Sequence, residues 1–302
     1  MYEMEFQLAS SRLASLCSFL SHQSSDGARV SVPSDKPVLL MLHGWQDNAA
    51  SFTSLFDTLA IHYHVIAIDW PGHGLSAPRA ADNYYHFVDY VDDLAQIIDF
   101  LALPQVSILG HSLGALVAVC YTAAFAERVQ SLVLIEGLAP LAEPAANAPL
   151  RLRQGIIGRQ RYRQHQYQRQ TRSMASFRQA LEIRCSVNGL STAQLRPLVE
   201  RGVYQQGERW YWRHDHRLRC ESLYRMALEH SVAMRSAISC PVLSIVGRNG
   251  YPSLKLAPLE RAQWQNIIQL EVDGGHHCHI DSPLVVAEQI MLFSSKIKIL
   301  GE

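Results

Sequence analysis

The sequence predicts an α/β fold built on a doubly wound, mostly parallel sheet. Short, continuous apolar runs recur along the chain, of the kind buried on both faces of a parallel sheet. Each of the early runs ends in a polar or glycine-rich turn and is followed by residues at helical spacing. One of these junctions, Val106 to Val119, reads as strand, sharp turn and helix, with Gly110-His111-Ser112-Leu113-Gly114 at the turn.

Residues 3–20 alternate loosely through Phe6, Leu8, Leu13, Leu16 and Phe19, which suggests an edge hairpin. Ser24 to Pro37 is polar, contains Asp26-Gly27 and Pro33, and reads as a turn. Pro37 to Leu42 is the first buried strand, closed by His43-Gly44-Trp45-Gln46-Asp47-Asn48. Ser51, Phe52, Leu55, Phe56 and Leu59 follow at helical spacing. A second strand, His64 to Asp69, runs into Trp70-Pro71-Gly72-His73-Gly74-Leu75-Ser76. A helix is expected through Val88, Val91, Leu94, Ile97, Ile98 and Leu101, then the serine-bearing junction, then a strand over Ser131 to Gly137.

The rhythm stops there. Residues 138–235 contain no apolar strand of the earlier type, are rich in Arg, Gln, Tyr and Trp, and show helical patches such as Met174 to Ile183. It resumes with Cys240 to Gly247 and Ile267 to Val272, which leads into Asp273-Gly274-Gly275-His276, and ends with a helix from about Pro283 to Ser294. The expected organisation is one core domain, residues 1–137 and 236–302, interrupted by an inserted cap over 138–235 that covers the strand ends.

Composition narrows the function. The chain has 302 residues, 48% of them hydrophobic, which is ample for a large core. With 27 basic and 27 acidic residues, net charge gives no reason to expect a nucleic-acid partner. Charge is unevenly placed, however: 138–235 holds 17 Arg and no Lys against 7 Asp and Glu, an excess of +10. Steering of an anionic ester or thioester is one reading of it. The plainer reading, arginines on a solvated cap that pair with an acidic core, is preferred. The six cysteines form no Cys-x-x-Cys pair and no small disulfide framework, so free thiols in a reducing cytoplasm are expected. Met1 to Glu5 is acidic where a signal peptide would be basic. The longest mainly apolar run, Ala115 to Ala126, is too short to span a bilayer and suits a buried helix.

The chemistry centres on Ser112. In Gly-x-Ser-x-Gly between a strand and a helix, the strained turn lifts the serine hydroxyl clear of the sheet. Gly110 and Gly114 avoid a collision between a Cβ and the neighbouring strand or helix. The helix start behind Ser112 turns backbone N–H groups toward the same place. A serine hydroxyl is a poor nucleophile at neutral pH, so a general base is needed. Ligands of open α/β sheets bind beyond the carboxyl ends of the strands, where His43, Asp69, Ser112 and Glu136 all fall.

Taken in order, His43-Gly44-Trp45, Asp69-x-Pro71-Gly72-His73-Gly74-x-Ser76, Gly110-His111-Ser112-x-Gly114 and Gly275-His276 with Pro283 resemble an α/β-hydrolase with a cap domain. The resemblance covers nearly the whole chain. His43 to Phe52 and Asn249-Gly250-Tyr251 resemble the serine hydrolase-like proteins within that fold. The resemblance implies that His276 is the base, because the family's histidine follows the last strand seven positions before a proline such as Pro283. His277 and His279 are rivals that this spacing disfavours. Many relatives carry an aspartate after the strand at 241–247. This chain has Gly247-Arg248-Asn249-Gly250-Tyr251 instead, and an asparagine cannot balance an imidazolium charge. Glu136, at the end of the strand after the nucleophile, is the expected acid. Certain haloalkane dehalogenases resemble this arrangement, and the order Ser112, Glu136, His276 keeps the acid ahead of the histidine. Asp69, Asp215 and Asp281 are expected to be structural. The family's oxyanion donors correspond to the backbone N–H groups of Trp45 and Leu113, and the Trp45 indole is a candidate wall for the acyl pocket.

These residues imply a carboxylic-ester hydrolase working through an acyl-enzyme on a small-molecule ester, with no metal or organic cofactor. Thioester hydrolysis, C–C bond hydrolysis and peptidase action use the same residues and are the alternatives. Epoxide hydrolase and dehalogenase chemistry is disfavoured, because those relatives carry aspartate where Ser112 stands. A non-catalytic binding protein of this fold is the remaining alternative, supported only by the missing carboxylate after Gly247. Oligomeric state is not encoded in any of these motifs.

Overall fold

The computed structural model describes residues 1–9, 11–20, 30–166, 173–257, 264 and 266–301. The expected Asp26-Gly27 turn and the end of the Arg/Gln run at 167–172 lie outside them.

The chain opens with a hairpin, β1 (Tyr2–Gln7) and β2 (Arg12–Cys17). There follow β3 (Val38–Leu42), α1 (Thr53–Ala60), β4 (His64–Ile68), α2 (Phe87–Phe100), β5 (Val106–His111), α3 (Leu113–Ala124) and β6 (Val129–Ile135). The middle segment supplies β7 (Ala142–Glu143), α4 (Ala148–Gln166), α5 (Phe177–Asn188), α6 (Thr192–Gly202), β8 (Val203–Gln206), β9 (Arg209–Trp212), β10 (Met226–Ala227) and α7 (Leu228–Ser236). The chain closes with β11 (Val242–Gly247), β12 (Ile267–Val272), α8 (Cys278–Asp281) and α9 (Pro283–Gly301).

Eight strands form one sheet in the order β1-β2-β4-β3-β5-β6-β11-β12. β1 and β2 are antiparallel, and β2 meets β4 antiparallel; every pairing from β4 to β12 is parallel. This is the doubly wound, mostly parallel sheet that the apolar runs predicted. The two-residue period of a strand explains why those runs are continuous. Leu40 and Leu42 of β3 pack with Tyr90, Leu94 and Val117 of α2 and α3. Leu39 and Met41, pointing the other way, pack with Leu55 and Phe56 of α1 and with Val286 and Ile290 of α9. Both faces of the strand are therefore covered.

None of β7–β10 joins the large sheet; they form two small two-stranded sheets beside the helices of the middle segment. Two local expectations are corrected, one in this segment and one in α2. The helix placed at Met174 starts only at Phe177, capped by the Ser176 side chain accepting from the Gln179 N–H. Met174 instead exchanges backbone hydrogen bonds with Trp210, and the β8–β9 hairpin that brings Trp210 there has no apolar alternation to announce it. Val88 is exposed, so the buried stripe of α2 begins at Tyr90. Among the described residues, no helix is long and apolar enough to cross a membrane.

Candidate active site

The carboxyl ends of the parallel strands converge on Ser112, which sits between β5 and α3 with φ +49° and ψ −116°. A non-glycine residue in that region is strained by roughly 1–3 kcal/mol. The strain is held by its surroundings. The Ser112 N–H donates to the Ile135 carbonyl at 2.9 Å, and the Ser112 carbonyl accepts from Ala115 and Leu116. Glycine at 114 is obligatory, because a Cβ there would stand 2.0 Å from the Leu42 carbonyl oxygen. A Cβ on Gly44 would lie 3.2 Å from the Ser112 Cβ, which places the turn after β3 directly against the serine.

His276 lies in the turn after β12. Its Nε2 is 3.0 Å from Ser112 Oγ and its Nδ1 is 3.2 Å from Glu136 Oε2. A carboxylate accepts only, so Nδ1–H donates to Glu136 and the Nε2 lone pair is left for the serine hydroxyl proton. Glu136 follows β6 directly, is 2% exposed, and also has a positive φ of 49°. Its Oε1 accepts from the Gly247 N–H at 2.7 Å and its Oε2 from the Tyr251 N–H at 3.3 Å. The loop after β11, which has no carboxylate of its own, thus wraps the one supplied by the neighbouring strand. Gly250 makes room for it: a Cβ there would stand 2.1 Å from Oε1. The Tyr251 ring lies against the His276 ring, centroids 4.7 Å apart.

The other two histidines of this turn face elsewhere. His277 Nε2–H donates to Asp47 Oδ2 at 3.0 Å, and His279 Nε2 meets Ser51 Oγ at 2.9 Å. The backbone N–H of Asn249 donates to the Gly274 carbonyl at 2.9 Å and joins the two loops. Leu113 is the first residue of α3, and among the described residues no hydrogen bond takes its N–H or that of Trp45. The Trp45 indole is partly exposed and stands edge-on to His73 and Tyr90.

The remaining residues of the sequence motifs hold the turns. His43 Nδ1–H donates to the Gly44 carbonyl at 2.7 Å, while its Nε2 accepts from the Trp70 N–H at 3.0 Å. Burial pushes its pKa down to about 4, so it is neutral. Asp69 accepts from the Ala49 and Leu75 N–H groups and from both contacts of Arg201 Nε. Asp281 accepts from the Gly275 N–H, one residue before His276. Asp215 pairs with Arg217 and accepts from the Tyr85 hydroxyl at 2.9 Å.

Sequence reasoning missed a buried layer behind this line. His111 Nε2–H donates to the His276 carbonyl at 2.8 Å, and Arg184 of α5 pairs with the Asp47 carboxylate. Asp47, His111 and His277 bring their donor atoms within 4.8 Å of one another, close enough to share a metal ion. The signal available was the His-His-x-His spacing at 276–279 together with an acidic residue in the turn after β3.

The alpha/beta hydrolase fold family model matches residues 37–283, from the first central strand through the turn that carries His276. The chain belongs to the α/β-hydrolase family. Among relatives of this α/β-hydrolase, a serine hydrolase-like protein of Danio rerio is 28% identical over 268 residues, covering 86% of this chain and 82% of that one. A probable serine hydrolase of Drosophila melanogaster is 27% identical over 276 residues, covering 86% and 81%. The crystal structure of a hypothetical protein from Pseudomonas aeruginosa PAO1 superposes with a TM-score of 0.84 at 29% identity, covering 99% of both chains. The chain is thus a serine hydrolase-like α/β-hydrolase.

Proposed function

We propose that this α/β-hydrolase is a carboxylic-ester hydrolase in which Ser112 is the nucleophile, His276 the general base and Glu136 the acid that orients it. One observation carries the reading: the unbroken line from Ser112 Oγ through both nitrogens of His276 to the buried Glu136 carboxylate, at 3.0 and 3.2 Å. In the proposed reaction His276 takes the Ser112 proton as Oγ attacks the substrate carbonyl. The Trp45 and Leu113 N–H groups hold the oxyanion, a contribution of roughly 10²–10³ in rate for each donor. His276 then protonates the leaving alcohol, and water attacks the acyl-enzyme with His276 again as base. Glu136 keeps Nδ1 protonated and balances the imidazolium charge.

Residues 138–235 are proposed as the cap. Arg184 and Arg201 of that segment reach Asp47 and Asp69 in the turns beneath it, which supports both a covering position and the view that its arginines pair with core acids. The substrate is a small ester. The six cysteines are free, which supports a reducing compartment.

Fluorophosphonate labelling and a panel of short p-nitrophenyl esters test the reading. Labelling of Ser112 is expected, with hydrolysis falling by at least about 10³ in Ser112→Ala. A protein that neither reacts with the probe nor hydrolyses any ester of the panel refutes it.

A further inference from the structure

We propose that Asp47, His111 and His277 form a binding site for one divalent transition-metal ion of the Zn²⁺ type, placed behind the Ser112–His276 pair, and that filling it switches off hydrolysis. Occupancy follows from these three residues alone; the inhibition rests on the function proposed above.

The argument starts from an unpartnered atom. His111 is buried, and its Nε2–H is committed to the His276 carbonyl at 2.8 Å. Its buried Nδ1 has no hydrogen-bond partner among the described residues, so a ring whose one proton sits on Nε2 leaves the Nδ1 lone pair free. It faces the Asp47 carboxylate, whose Oδ2 is 3.7 Å away. That carboxylate is paired on its other oxygen with the Arg184 guanidinium. An acceptor thus faces a charged acceptor in a buried place, an arrangement that a cation between them resolves.

His277 supplies the third donor. Its Nε2 is 3.0 Å from the same Asp47 Oδ2. An ion with bonds of about 2.0–2.1 Å in tetrahedral geometry separates its ligands by roughly 3.3 Å, between the 3.0 and 3.7 Å found here. Two imidazoles and one carboxylate suit Zn²⁺ or Co²⁺ and not a hard ion such as Mg²⁺. Metal binding needs the His277 proton on Nδ1 instead of Nε2, and the partner for that proton is in place. The Asn188 amide nitrogen lies 3.2 Å from His277 Nδ1 and 3.1 Å from its Nε2, and the amide oxygen is buried without a partner among the described residues. Turning the amide presents Oδ1 to Nδ1–H, the outer contact that metal-bound histidines ordinarily make. Arg184 occupies the other side of the carboxylate, so the binding is one-oxygen binding by Asp47.

The consequence for catalysis is electrostatic. His111 precedes Ser112, His277 follows His276, and the rings of His111 and His276 are 4.9 Å apart. A double positive charge on His111 opposes the imidazolium that His276 must become, and a loss of at least about tenfold in kcat/KM is expected.

Titration of the whole metal-free chain with Co²⁺, followed by visible absorption, tests occupancy without reference to activity. One Co²⁺ per chain, displaced by Zn²⁺, is expected. His277→Gln keeps an amide donor for Asp47 and is expected to weaken Co²⁺ binding at least about tenfold, whereas His62→Ala, on an exposed surface, binds as the unaltered chain does. Zn²⁺ at saturation should lower ester hydrolysis, and EDTA should restore it. No Co²⁺ spectrum at millimolar ion, or equal affinity in His277→Gln, overturns the site. Full occupancy with unchanged hydrolysis overturns the switch. If the chain hydrolyses no ester, the function proposed above fails and the Co²⁺ spectrum still decides the site.

Discussion

Replacing Glu136 with glutamine exchanges one carboxylate oxygen for an amide and changes almost no volume, so its effect can be worked out from the contacts. Oε1 accepts from the Gly247 N–H at 2.7 Å and must remain an oxygen. The amide nitrogen then falls where Oε2 was, facing both the Tyr251 N–H and His276 Nδ1. Its N–H groups cannot accept from Nδ1–H. The imidazole responds by moving its proton to Nε2, where it can no longer take one from Ser112 Oγ, 3.0 Å away. The wrong tautomer and the missing negative charge act together. In serine proteases the corresponding amide substitution lowers kcat about 10⁴-fold, so a loss of about 10³–10⁴ in kcat is expected here. KM should change little, because Glu136 is buried beneath His276 and cannot touch substrate. Steady-state hydrolysis of a p-nitrophenyl ester at neutral pH measures both constants, and thermal unfolding checks that the variant is folded. A folded variant losing less than threefold in kcat would show that another group orients His276.

Three further outcomes follow from particular contacts. Gly250→Ala drives a methyl group to 2.1 Å from Glu136 Oε1, and the resulting displacement should lower kcat by about 10–10² with KM nearly constant; an unchanged kcat would mean the loop yields freely. Arg201→Met leaves the fully buried Asp69 carboxylate without its cation and should cost about 3–5 kcal/mol in urea unfolding; a loss below about 1 kcal/mol would show that the backbone donors suffice. Burial lowers His43 to about 4 and His73 and His279 to about 3, so below pH 6.5 the unfolded chain binds protons that the folded chain refuses. Stability is therefore complete above the unfolded value and falls from pH 6.5 toward pH 4, by up to about 1.4 kcal/mol per pH unit for each of the three. Urea midpoints measured at pH 7, 6 and 5 check it, and midpoints that hold steady or rise on acidification would contradict those neutral histidines.

Much of the sheet was readable because burial on both faces leaves a plain mark. Val38–Leu42 and Val242–Gly247 are buried at every position, and runs so apolar, with Ser244 their one polar residue and itself fully buried, fit few other places. The meeting of Ser112, Glu136 and His276 was readable for a related reason. Parallel strands in one sheet bring their carboxyl ends to one edge, so three strand-end residues distant in sequence become neighbours once the strands are placed. The middle segment lacks that constraint. Its hairpin carries Val203-Tyr204-Gln205-Gln206 against Arg209-Trp210-Tyr211-Trp212, a partly exposed pair whose polarity does not alternate, and Met174 is held by a backbone partner 36 positions away. Local pattern says nothing about either.

The carboxylate beside His276 comes from Glu136 and not from the loop after β11. From the residues alone, Glu136 is the preferred candidate because no carboxylate follows Gly247 in Arg248-Asn249-Gly250-Tyr251. The structure gives the physical counterpart of that gap. Glu136 reaches the space beside His276 from the adjacent strand, and the loop after β11, with no carboxylate of its own, serves as its receptor. Its donors are the Gly247 and Tyr251 N–H groups, and the missing side chain at Gly250 provides the volume. The exchange is possible because β6 and β11 are parallel neighbours in register, Ile135 opposite Ile245. Residues leaving their ends enter the same crevice, and either can present a carboxylate to the same imidazole nitrogen. Moving the acid back, with Asn249→Asp and Glu136→Gln in one chain, should therefore fail to restore activity. Asn249 spends its backbone N–H on the Gly274 carbonyl, and the receptor at Gly247 and Tyr251 stays aimed at position 136. Recovery to within about tenfold of the unaltered kcat, against the 10³–10⁴ loss expected for Glu136→Gln alone, would show that the loop is not committed to a carboxylate from β6.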